Sequence, residues 1–505
     1  MNLIDDSWIP VRCQSGKRIK IAPWQLTENN DPIIAIHSPR HDFDGALMQF
    51  LIGLFQTTFD SLDDTKWLNW FEGPPGQQEL KEGLERYRQA FEIKSFMQDF
   101  DPLDSQKLKN ISALLIDSPG ENTLKKNTDH FVKGGKIEAL CPICTIAALF
   151  TLQTNSPSGG VGYRTSVRGG GPLTTLAVLD ETTTSNEDFL WQNVWLNVLD
   201  KEYITNNKNA LKDIFPWLAP TRTSEKGKET EKTTPEDASF FQTFWGMPRR
   251  IRIDWSDANS GDCDLCGDKS ERLVHQFWEK NYGVNYEGPW QHPLTPYGKD
   301  KKGQKYPIKM KRRGIVYTDW PDLIFNSSNS SEQAPVIKRY LEKSEQWKEQ
   351  FRLHAFGYDM DKAKARCWYD IKLPLFKVGE DVEFTKDIRY LTDISLKCTE
   401  VLAKEVKEAW FYEGKKKKGD ISFLKHDFWQ KTEDFFFKQV KEFQGAELEE
   451  RQNIKRNWGG ALRKEAIGLF DLWVPWSDLC NLKAMKGIAS ARKRLENKLN
   501  KITKV

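Results

Sequence analysis

The chain has 505 residues, of which 29% are charged, and a formal net charge of +3 at pH 7. This length exceeds what one hydrophobic core usually supports, so we expect two or three domains. The near balance of charges argues against a protein that is basic throughout, and no apolar run is long enough to span a bilayer. The first residues carry neither a basic nor an apolar signal region, so a cytoplasmic protein without a membrane segment is expected.

The first predicted elements are a β-hairpin and a helix. Residues 8–11 and 18–21 are short β-prone runs separated by a turn, which predicts two antiparallel strands. Asp42 and Asp44 then precede an apolar-rich helix at residues 45–58, because acidic residues suit a helix N-terminus.

Two Cys-x-x-Cys pairs, Cys141/Cys144 and Cys263/Cys266, lie in distant segments. Each pair directs two sulfurs at one point, and four thiolates form a tetrahedral zinc site. Four protein ligands leave no open position, so one structural zinc per chain is predicted rather than a catalytic one. Two redox dithiols, or cysteines that only pack, are the alternatives.

Further elements follow the first cysteine pair. A helix is predicted at residues 141–152 and a strand at residues 173–179. Residues 221–238 are polar and almost free of apolar side chains, which predicts a mobile surface loop.

A glycine-rich stretch separates that helix from that strand. Gly159, Gly160 and Gly162 carry no side chains, so their backbone can approach a ligand closely or enter a narrow groove. Arg164 and Arg168 flank this approach, where they would neutralise phosphates. An ordinary surface turn is the alternative.

The C-terminal part changes to a helical pattern with short linkers, which suits an antiparallel bundle. The predicted helices cover residues 384–412, 421–443, 447–472 and 477–502. The predicted fold class is therefore α+β. A large mixed α/β domain at residues 1–378 holds the four-cysteine zinc site, and a four-helix bundle follows at residues 379–505.

Basic residues are concentrated in three places. Residues 299–313 carry eight basic residues and one acid, residues 415–418 are four lysines, and the tail from residue 483 holds eight basic residues and one glutamate. Such stripes can neutralise phosphates, although most charge runs are simply solvated.

No established catalytic motif is present: neither a phosphate-binding loop, nor H-E-x-x-H, nor G-x-S-x-G. His37 and His41 lie beside Asp42 and Asp44, but helix capping and loop hydrogen bonds explain this group better than a metal site. We therefore expect a binding protein and not an enzyme. A zinc-stapled nucleic-acid enzyme with its site at these four residues is one alternative, and a scaffold that binds only protein is another.

An ordered set of short motifs runs along nearly the whole chain. It comprises Trp8-Ile9-Pro10-Val11, Phe131-Val132-Lys133, Cys141-Pro142-Ile143-Cys144, Thr151-Leu152-Gln153-Thr154-Asn155, Arg168-Gly169-Gly170-Gly171-Pro172, the second cysteine pair and Trp290-Gln291-His292-Pro293. This set resembles the CasA family, the large subunit of the type I-E CRISPR Cascade surveillance complex. That family also ends in a four-helix bundle.

The resemblance implies a non-catalytic subunit that recognises the protospacer-adjacent motif (PAM) in double-stranded DNA. Such a subunit begins duplex opening for guide-RNA pairing and helps to recruit a separate helicase–nuclease. The implied partners are the other Cascade subunits, the guide RNA, the target duplex and that helicase–nuclease.

The resemblance also implies roles for individual residues. The family's glycine loop, which enters the minor groove, matches Ser158, Gly159, Gly160 and Val161. The loop that contacts the guide-RNA handle and the PAM region matches Phe131, Val132 and Lys133. The lysine that reaches into the groove is Lys280.

The wedge that pries the duplex open matches Met360, Asp361 and Lys362, which follow the Gly357-Tyr358 pair. The family example has amide side chains where this chain has Asp361 and Lys362. Met360 or the stem of Lys362 would supply the bulk that unstacks a base step. Asp361 is expected to point away from the phosphates.

Overall fold

The structure is a computed structural model that describes residues 1–126, 134–181, 189–204, 208–256, 259–325, 331–343, 350–361, 364–376, 382–411, 419–474 and 482–504. Within these residues the chain is a mixed α+β protein, as predicted, with several small sheets. No helix in the described residues is long and apolar enough to cross a membrane.

The described strands form small antiparallel sheets of two or three strands. They are β1 (Ile9–Cys13), β2 (Arg18–Ile21), β3 (Ile33–Ile36), β4 (Leu108–Asn110), β5 (Thr174–Leu179), β6 (Arg250–Ile253), β7 (Gly261–Asp262), β8 (Lys269–Ser270), β9 (Gln276–Lys280), β10 (Tyr297–Lys299), β11 (Lys305–Pro307), β12 (Ser331–Glu332), β13 (Phe351–Asp361) and β14 (Lys364–Leu375).

The described helices range from single turns to eight turns. They are α1 (His41–Thr58), α2 (Asp64–Glu72), α3 (Gln77–Glu85), α4 (Glu121–Lys125), α5 (Pro142–Asn155), α6 (Phe189–Trp195), α7 (Leu211–Ile214), α8 (Gln242–Trp245), α9 (Trp320–Ile324), α10 (Pro335–Glu342), α11 (Val382–Trp410), α12 (Ser422–Phe443), α13 (Leu448–Trp473) and α14 (Leu482–Ile502).

The chain divides into two compact units. The first comprises Met1–Arg312 and Ser328–Leu375, and the second comprises Arg313–Ser327 and Phe376–Val505. The second unit thus includes a short segment from the middle of the sequence. The boundary predicted between residues 378 and 379 lies outside the described residues and stays a prediction.

In the first unit, α1 runs through an aromatic core. The ring of Phe50 on α1 is fully buried and contacts five other rings, those of Trp8, Phe91, Phe96, Phe150 and Trp245. Such edge-to-face contacts stabilise a core beyond the area that they bury. Many of the tryptophans therefore fill the core and are not available to stack on bases.

Three local predictions are confirmed in the first unit. The N-terminal hairpin forms with Ile9 opposite Ile21. The helix after Cys141 is α5, and the strand predicted at residues 173–179 is β5. Strand β5 pairs with β13, whose other neighbour is β14, so β13 lies at the centre of this sheet and its tip projects beyond β5.

Residues 221–238, predicted to form a mobile surface loop, have little regular secondary structure, but hydrogen bonds anchor the segment at Ser224 and Thr233. Thr233 is buried. Its amide donates to the Asn285 carbonyl at 2.8 Å, and its carbonyl accepts from Trp290 Nε1 at 3.2 Å. Ser224 is also buried and accepts a hydrogen bond from Arg164 at 2.7 Å. Hydroxyl and backbone hydrogen bonds fix this segment where its composition offers no apolar anchors.

In the second unit, four long helices, α11 to α14, lie where helical stretches were predicted, and their bounds agree to within about two residues except at the predicted ends 412 and 477, which lie outside the described residues. Ile388, Leu391, Cys398 and Leu402 recur at helical spacing on α11 and are fully buried. The inserted segment adds Tyr317, which stacks on Phe436 with ring centroids 4.5 Å apart.

Candidate nucleic-acid interface

The four predicted cysteine ligands meet at one point. Their Sγ atoms all lie within 4.8 Å of one another, and the Sγ atoms of Cys141 and Cys266 are 3.8 Å apart. A tetrahedral ion with Zn–S bonds of about 2.3 Å holds its thiolates about 3.8 Å apart. The donor set and its spacing therefore fit a zinc ion.

The first cysteine pair is positioned by the start of α5. Cys141 is the N-cap residue, and Pro142 occupies the first helical position, where a missing N–H costs nothing. The Cys144 amide donates to Cys141 Sγ at 3.4 Å, so the helix turn directs both sulfurs to the same side.

The second pair lies in the turn between β7 and β8. Gly267 has φ +75°, a conformation that favours glycine, and its amide donates to the Cys263 carbonyl at 2.9 Å. Asp264 joins the two pairs, because its carboxylate accepts from the amides of Glu138 and Ala139 at 2.7 Å each. The halves of the cluster are thus connected by hydrogen bonds as well as by the sulfurs.

The close sulfurs shift one another's protonation. Hydrogen bonding with Cys141 and Cys263 raises the pKa of Cys144, whereas hydrogen bonds from Cys141 and Cys144 lower the pKa of Cys263. Four thiolates at this spacing need a bound cation, which deprotonates coordinating thiols. A metal would thus relieve the repulsion that keeps some of these thiols protonated.

The glycine loop contacts the residue that follows the predicted groove lysine. Residues 158–161 are exposed, and the Val161 side chain is 77% exposed. The Val161 carbonyl accepts a hydrogen bond from Asn281 Nδ2 at 2.8 Å. Lys280, at the end of β9, directly precedes Asn281. Two segments that are far apart in the sequence therefore meet at one exposed surface.

A partly buried polar group supports the base of this loop. The Tyr163 hydroxyl donates to Glu279 Oε2 at 2.9 Å, and Lys109 Nζ donates to that hydroxyl at 3.0 Å and forms an ion pair with Glu279. The Arg249 guanidinium lies 4.7 Å from the Tyr163 ring centroid and donates to the Pro157 carbonyl at 2.5 Å. The loop is held from both ends.

Packing explains some glycines of the loop and not others. A Cβ added to Gly162, which has φ +78°, would lie 2.9 Å from Asn281 Cβ, and one added to Gly159 would lie 2.8 Å from Tyr163 Cβ. A Cβ added to Gly160 would meet nothing nearer than 3.9 Å. Packing within the fold therefore does not require glycine at position 160, whereas a ligand that approached the backbone closely would require it.

The tip of the β13–β14 hairpin lies beside the root of the same loop. Met360 is half-buried, and a Cβ added to Gly171 would collide with its Cγ. A Cβ added to the adjacent Gly170 would lie 2.9 Å from Pro157 Cα. The Gly170–Gly171 segment thus packs between the hairpin tip and the residue that begins the glycine loop.

The charge of Asp361 has a nearby counter-ion. Arg366 on β14 makes two hydrogen bonds to Asp359, at 2.7 and 2.6 Å, and its Nη1 lies 3.4 Å from Asp361 Oδ2. The Asp361 carboxylate is therefore partly neutralised. Four predicted site residues, Phe131, Val132, Lys133 and Lys362, lie outside the described residues.

The comparisons with known proteins decide the family. The family model for the CRISPR-associated protein Cse1 matches residues 2–469 of the chain. The chain belongs to the Cse1 family. The resemblance to CasA that the motifs indicate is thereby confirmed.

Solved structures of Cse1 proteins share this fold. Thermus thermophilus CasA (Cse1) is 17% identical, with a TM-score of 0.73, and the match covers 99% of each chain. Thermobifida fusca Cse1 is 12% identical, with a TM-score of 0.75 over 100% of this chain and 98% of that one. A chain of a CRISPR RNA-guided surveillance complex is 15% identical, with a TM-score of 0.69 over 98% of this chain and 99% of that one.

One predicted contact of this Cse1-family chain is wrong. Arg168 is fully buried and donates to Gln49 Oε1 at 2.6 Å, Thr174 Oγ1 at 2.8 Å and Thr295 Oγ1 at 3.1 Å. Burial lowers the pKa of Arg168 to about 10. An arginine enclosed by neutral acceptors cannot reach a phosphate. Arg164 is half-buried and hydrogen-bonded to Ser224, so it holds the segment around residue 224 in place.

Two residues near the glycine loop of this Cse1-family chain were not singled out by the sequence. Asn281 makes the hydrogen bond to Val161, and a lone asparagine carries no motif that predicts it. Lys309 is exposed, and its Cε lies 3.6 Å from where a Cβ of Gly169 would be. Lys299 and Lys305, from the same basic stretch, form ion pairs with Glu332. Among the described residues, Lys309 has no such partner.

The histidine and aspartate group before α1 serves the local structure. Asp44 Oδ1 accepts from the Ser38 amide at 2.8 Å, and Asp42 forms an ion pair with Arg40. The prediction of loop hydrogen bonding is confirmed. Within the described residues, the four cysteines are the group close enough to hold a metal ion, so this histidine and aspartate group is not a metal cluster.

Proposed function

We propose that this chain is the non-catalytic large subunit of a type I-E CRISPR Cascade complex. In that role it recognises the PAM in double-stranded DNA, begins duplex opening for guide-RNA pairing and helps to recruit the helicase–nuclease. Membership of the Cse1 family supports the proposal. So does the similarity in fold to a chain of a CRISPR RNA-guided surveillance complex.

The hydrogen bond from Asn281 to the Val161 carbonyl is the observation that carries the proposal. It joins the exposed glycine loop to the residue after Lys280, so both can approach one groove together. A minor groove is about 6 Å wide, which admits bare backbone and one long lysine more readily than bulky side chains. Direct reading of a short motif by such a surface leaves the rest of the sequence to the guide RNA.

The hairpin tip supports the duplex-opening step of the proposal. Met360 packs on Gly171, next to the root of the glycine loop, so an apolar wedge would enter the duplex beside the PAM. The partial neutralisation of Asp361 by Arg366 lowers the repulsion between the tip and the DNA backbone. Lys362 is proposed to complete the wedge.

The remaining assignments complete the proposed subunit. Cys141, Cys144, Cys263 and Cys266 would hold one structural zinc, which contributes folding free energy and no chemistry. Phe131, Val132 and Lys133 would contact the guide-RNA handle and the PAM region. The four C-terminal helices would form a four-helix bundle.

The test compares PAM-bearing and scrambled duplexes in the complex assembled with guide RNA. Gly160→Leu is expected to lower the affinity for the PAM-bearing duplex at least tenfold and to leave the melting temperature unchanged. Gly468→Leu is the matched control, because a Cβ there also meets open space, on α13. Equal affinity of wild type and Gly160→Leu would contradict the assignment of the glycine loop.

The enzyme alternative is tested with the purified chain. His37, His41, Asp42 and Asp44 would have to support cleavage of DNA or RNA that is lost on their substitution. Such cleavage, without partner subunits, would contradict a non-catalytic role. No described contact of these residues supports it.

A further inference from the structure

The last helix, α14, has a buried face, basic residues beside it that form ion pairs, and exposed lysines on the opposite side. One face of the helix is buried against the other C-terminal helices. Its buried residues are Ala484, Ile488, Ala491, Leu495 and Leu499. This spacing of three and four residues fixes the rotation of α14 in its unit.

The cations on the flanks of the buried face are paired with neighbouring helices. Arg494 Nε and Lys498 Nζ contact the buried carboxylate of Glu405 on α11 at 3.0 and 2.6 Å. Arg492 makes two hydrogen bonds to Asp471 on α13, at 2.8 and 3.0 Å. These three residues are used in packing and are not available to a partner.

The face opposite the core is different. Lys483, Lys486, Lys493 and Lys501 are all exposed, and none of their side-chain ammonium groups has a hydrogen-bond or ion-pair partner among the described residues. At about 100° per residue they fall within an arc of about 80°, on the side of the helix away from the core. The only acidic residue of α14, Glu496, pairs with Arg492 on the flank.

We propose that this lysine face, formed by Lys483, Lys486, Lys493 and Lys501, binds the phosphate backbone of duplex DNA without reading its sequence. A solvated helix usually intersperses charges of both signs, because i, i+4 pairs of opposite charge stabilise it and like charges destabilise it. The four ammonium groups on this arc have no acidic side chains among them to offset their mutual repulsion. A polyanion offsets it.

Two properties of the face favour duplex DNA over other ligands. Lysine is a compact charge that meets a phosphate in many orientations, so a row of lysines tolerates any sequence. Helix α14 has no aromatic residue, whereas surfaces for single strands stack bases on aromatic rings. From Lys483 to Lys501 the helix rises about 27 Å, which corresponds to about eight base pairs.

The proposal goes beyond PAM recognition. Recognition of the PAM is assigned to the glycine loop and Lys280 of the first unit, whereas the lysine face belongs to the second. Such a contact would give the protein general affinity for DNA, from which a search for the motif can start.

The test uses the purified full-length chain and a 30-base-pair duplex without a PAM, over a range of NaCl concentrations. The K483Q/K486Q/K493Q/K501Q variant is expected to bind at least tenfold more weakly at low salt. The slope of log K against log[NaCl] should become less steep by up to about 3.6, or about 0.9 for each lost phosphate contact. Replacing the same four lysines by arginine should preserve both affinity and slope.

A matched control removes four exposed lysines from the other helices of the same unit. The K397Q/K404Q/K441Q/K464Q variant has the same net charge as the first variant and should bind as the wild type does. Equal weakening by both sets would overturn the proposal in favour of net charge alone. An unchanged slope in the first variant would overturn it too, and loss of assembly with the other subunits at unchanged DNA affinity would reassign the face to a protein.

Discussion

Individual glycines in the loop have different physical reasons for being glycine. Gly162 has a positive φ and no room for a Cβ, and Gly159 lies against Tyr163. Gly160 has neither restriction. The sequence presents these glycines as one motif, and the structure separates those that the fold requires from the one that ligand binding would require.

Gly162→Ala and Gly160→Ala should therefore differ in stability. We expect Gly162→Ala to lower the free energy of unfolding by about 1–2 kcal/mol, because alanine is strained at positive φ and its Cβ would contact Asn281. Gly160→Ala should change it by less than about 0.5 kcal/mol. Urea unfolding of the two variants measures the difference, and equal losses would contradict this distinction.

Arg168 and Lys309 show that a basic residue near a glycine loop cannot be assigned from sequence alone. Arg168 lies in the glycine-rich stretch, and Lys309 lies in the basic stretch at residues 299–313. Arg168 is nevertheless buried and hydrogen-bonded to neutral acceptors, whereas Lys309 is exposed. Burial is set by contacts between distant segments, here Gln49 and Thr295, which no local pattern records.

Substitution of the two residues should have opposite effects. Arg168→Ala is expected to cost about 2–4 kcal/mol of stability, because it leaves a cavity and removes the donor to Gln49 Oε1. Lys309→Gln should leave the melting temperature unchanged and weaken binding of duplex DNA. Thermal unfolding and a DNA titration of both variants test this, and a stable Arg168→Ala variant with weakened DNA binding would reverse the assignment.

At the scale of elements, the cysteine cluster connects the start of α5 to the β7–β8 turn. This contact was predictable because paired cysteines with metal-ligand spacing act over long distances in sequence. The hydrogen bonds that anchor residues 221–238 were not predictable, because each is a single contact with a distant segment, such as that from Arg164 to Ser224.

If the four cysteines hold the proposed zinc ion, Cys263→Ser should abolish zinc binding and destabilise the first unit. One ligand fewer weakens the site, and the binding free energy of a structural metal is also folding free energy, so we expect a loss of about 3 kcal/mol or more. Cys367→Ser is the control, since Cys367 is exposed on β14. Metal analysis and chemical unfolding are the measurements. A wild-type protein that contains no metal, together with a Cys263→Ser variant of unchanged stability, would reject the zinc site.

A buried ion pair joins the turn after α6 to α10. Arg339 Nε contacts Asp200 Oδ2 at 3.0 Å, and both side chains are almost fully buried. Burial alone would raise the pKa of Asp200, but the charges and hydrogen bonds of Arg339 and Lys343 outweigh it and hold the pKa below its usual value. The ionised form is therefore favoured in the folded state.

Asp200→Asn should lower the free energy of unfolding by about 3–5 kcal/mol at pH 7, because it leaves the buried Arg339 charge with only the more distant Asp64 carboxylate, at 4.0 Å. The folded-state pKa of Asp200 is depressed, so its contribution is complete above the unfolded value of about 4 and is lost as the pH falls through the folded value. The gap between wild type and variant should thus narrow below about pH 4. Asp393→Asn, at an exposed position on α11, is the control substitution for this measurement.

At the scale of the whole molecule, the sequence predicted the mixed α+β class and the four C-terminal helices, because apolar periodicity is local information. It did not predict that the glycine loop, the end of β9 and the β13–β14 tip lie together. Those contacts, Asn281 with Val161 and Gly171 with Met360, join residues that are 120 and 189 positions apart, and only the family resemblance implied them.

The inserted segment Arg313–Ser327 leads to a prediction about the second unit as a whole. Tyr317 stacks on Phe436 and hydrogen-bonds to Thr432 at 3.0 Å, and Trp320 contacts Phe436 edge to face. A fragment of residues 376–505 lacks these two buried aromatic side chains. It should therefore expose Phe436 and be less stable than the unit in the full chain.

A synthetic peptide of residues 313–325 should restore that stability in trans. We expect saturating peptide to raise the melting temperature of the 376–505 fragment by at least about 5 °C, because binding to the folded state alone shifts the unfolding equilibrium. The same peptide with Tyr317→Ala and Trp320→Ala should have no effect. If the fragment alone melted at the same temperature as the second unit in the full chain, the inserted segment would contribute nothing to stability, and the four helices would form an independent domain without it.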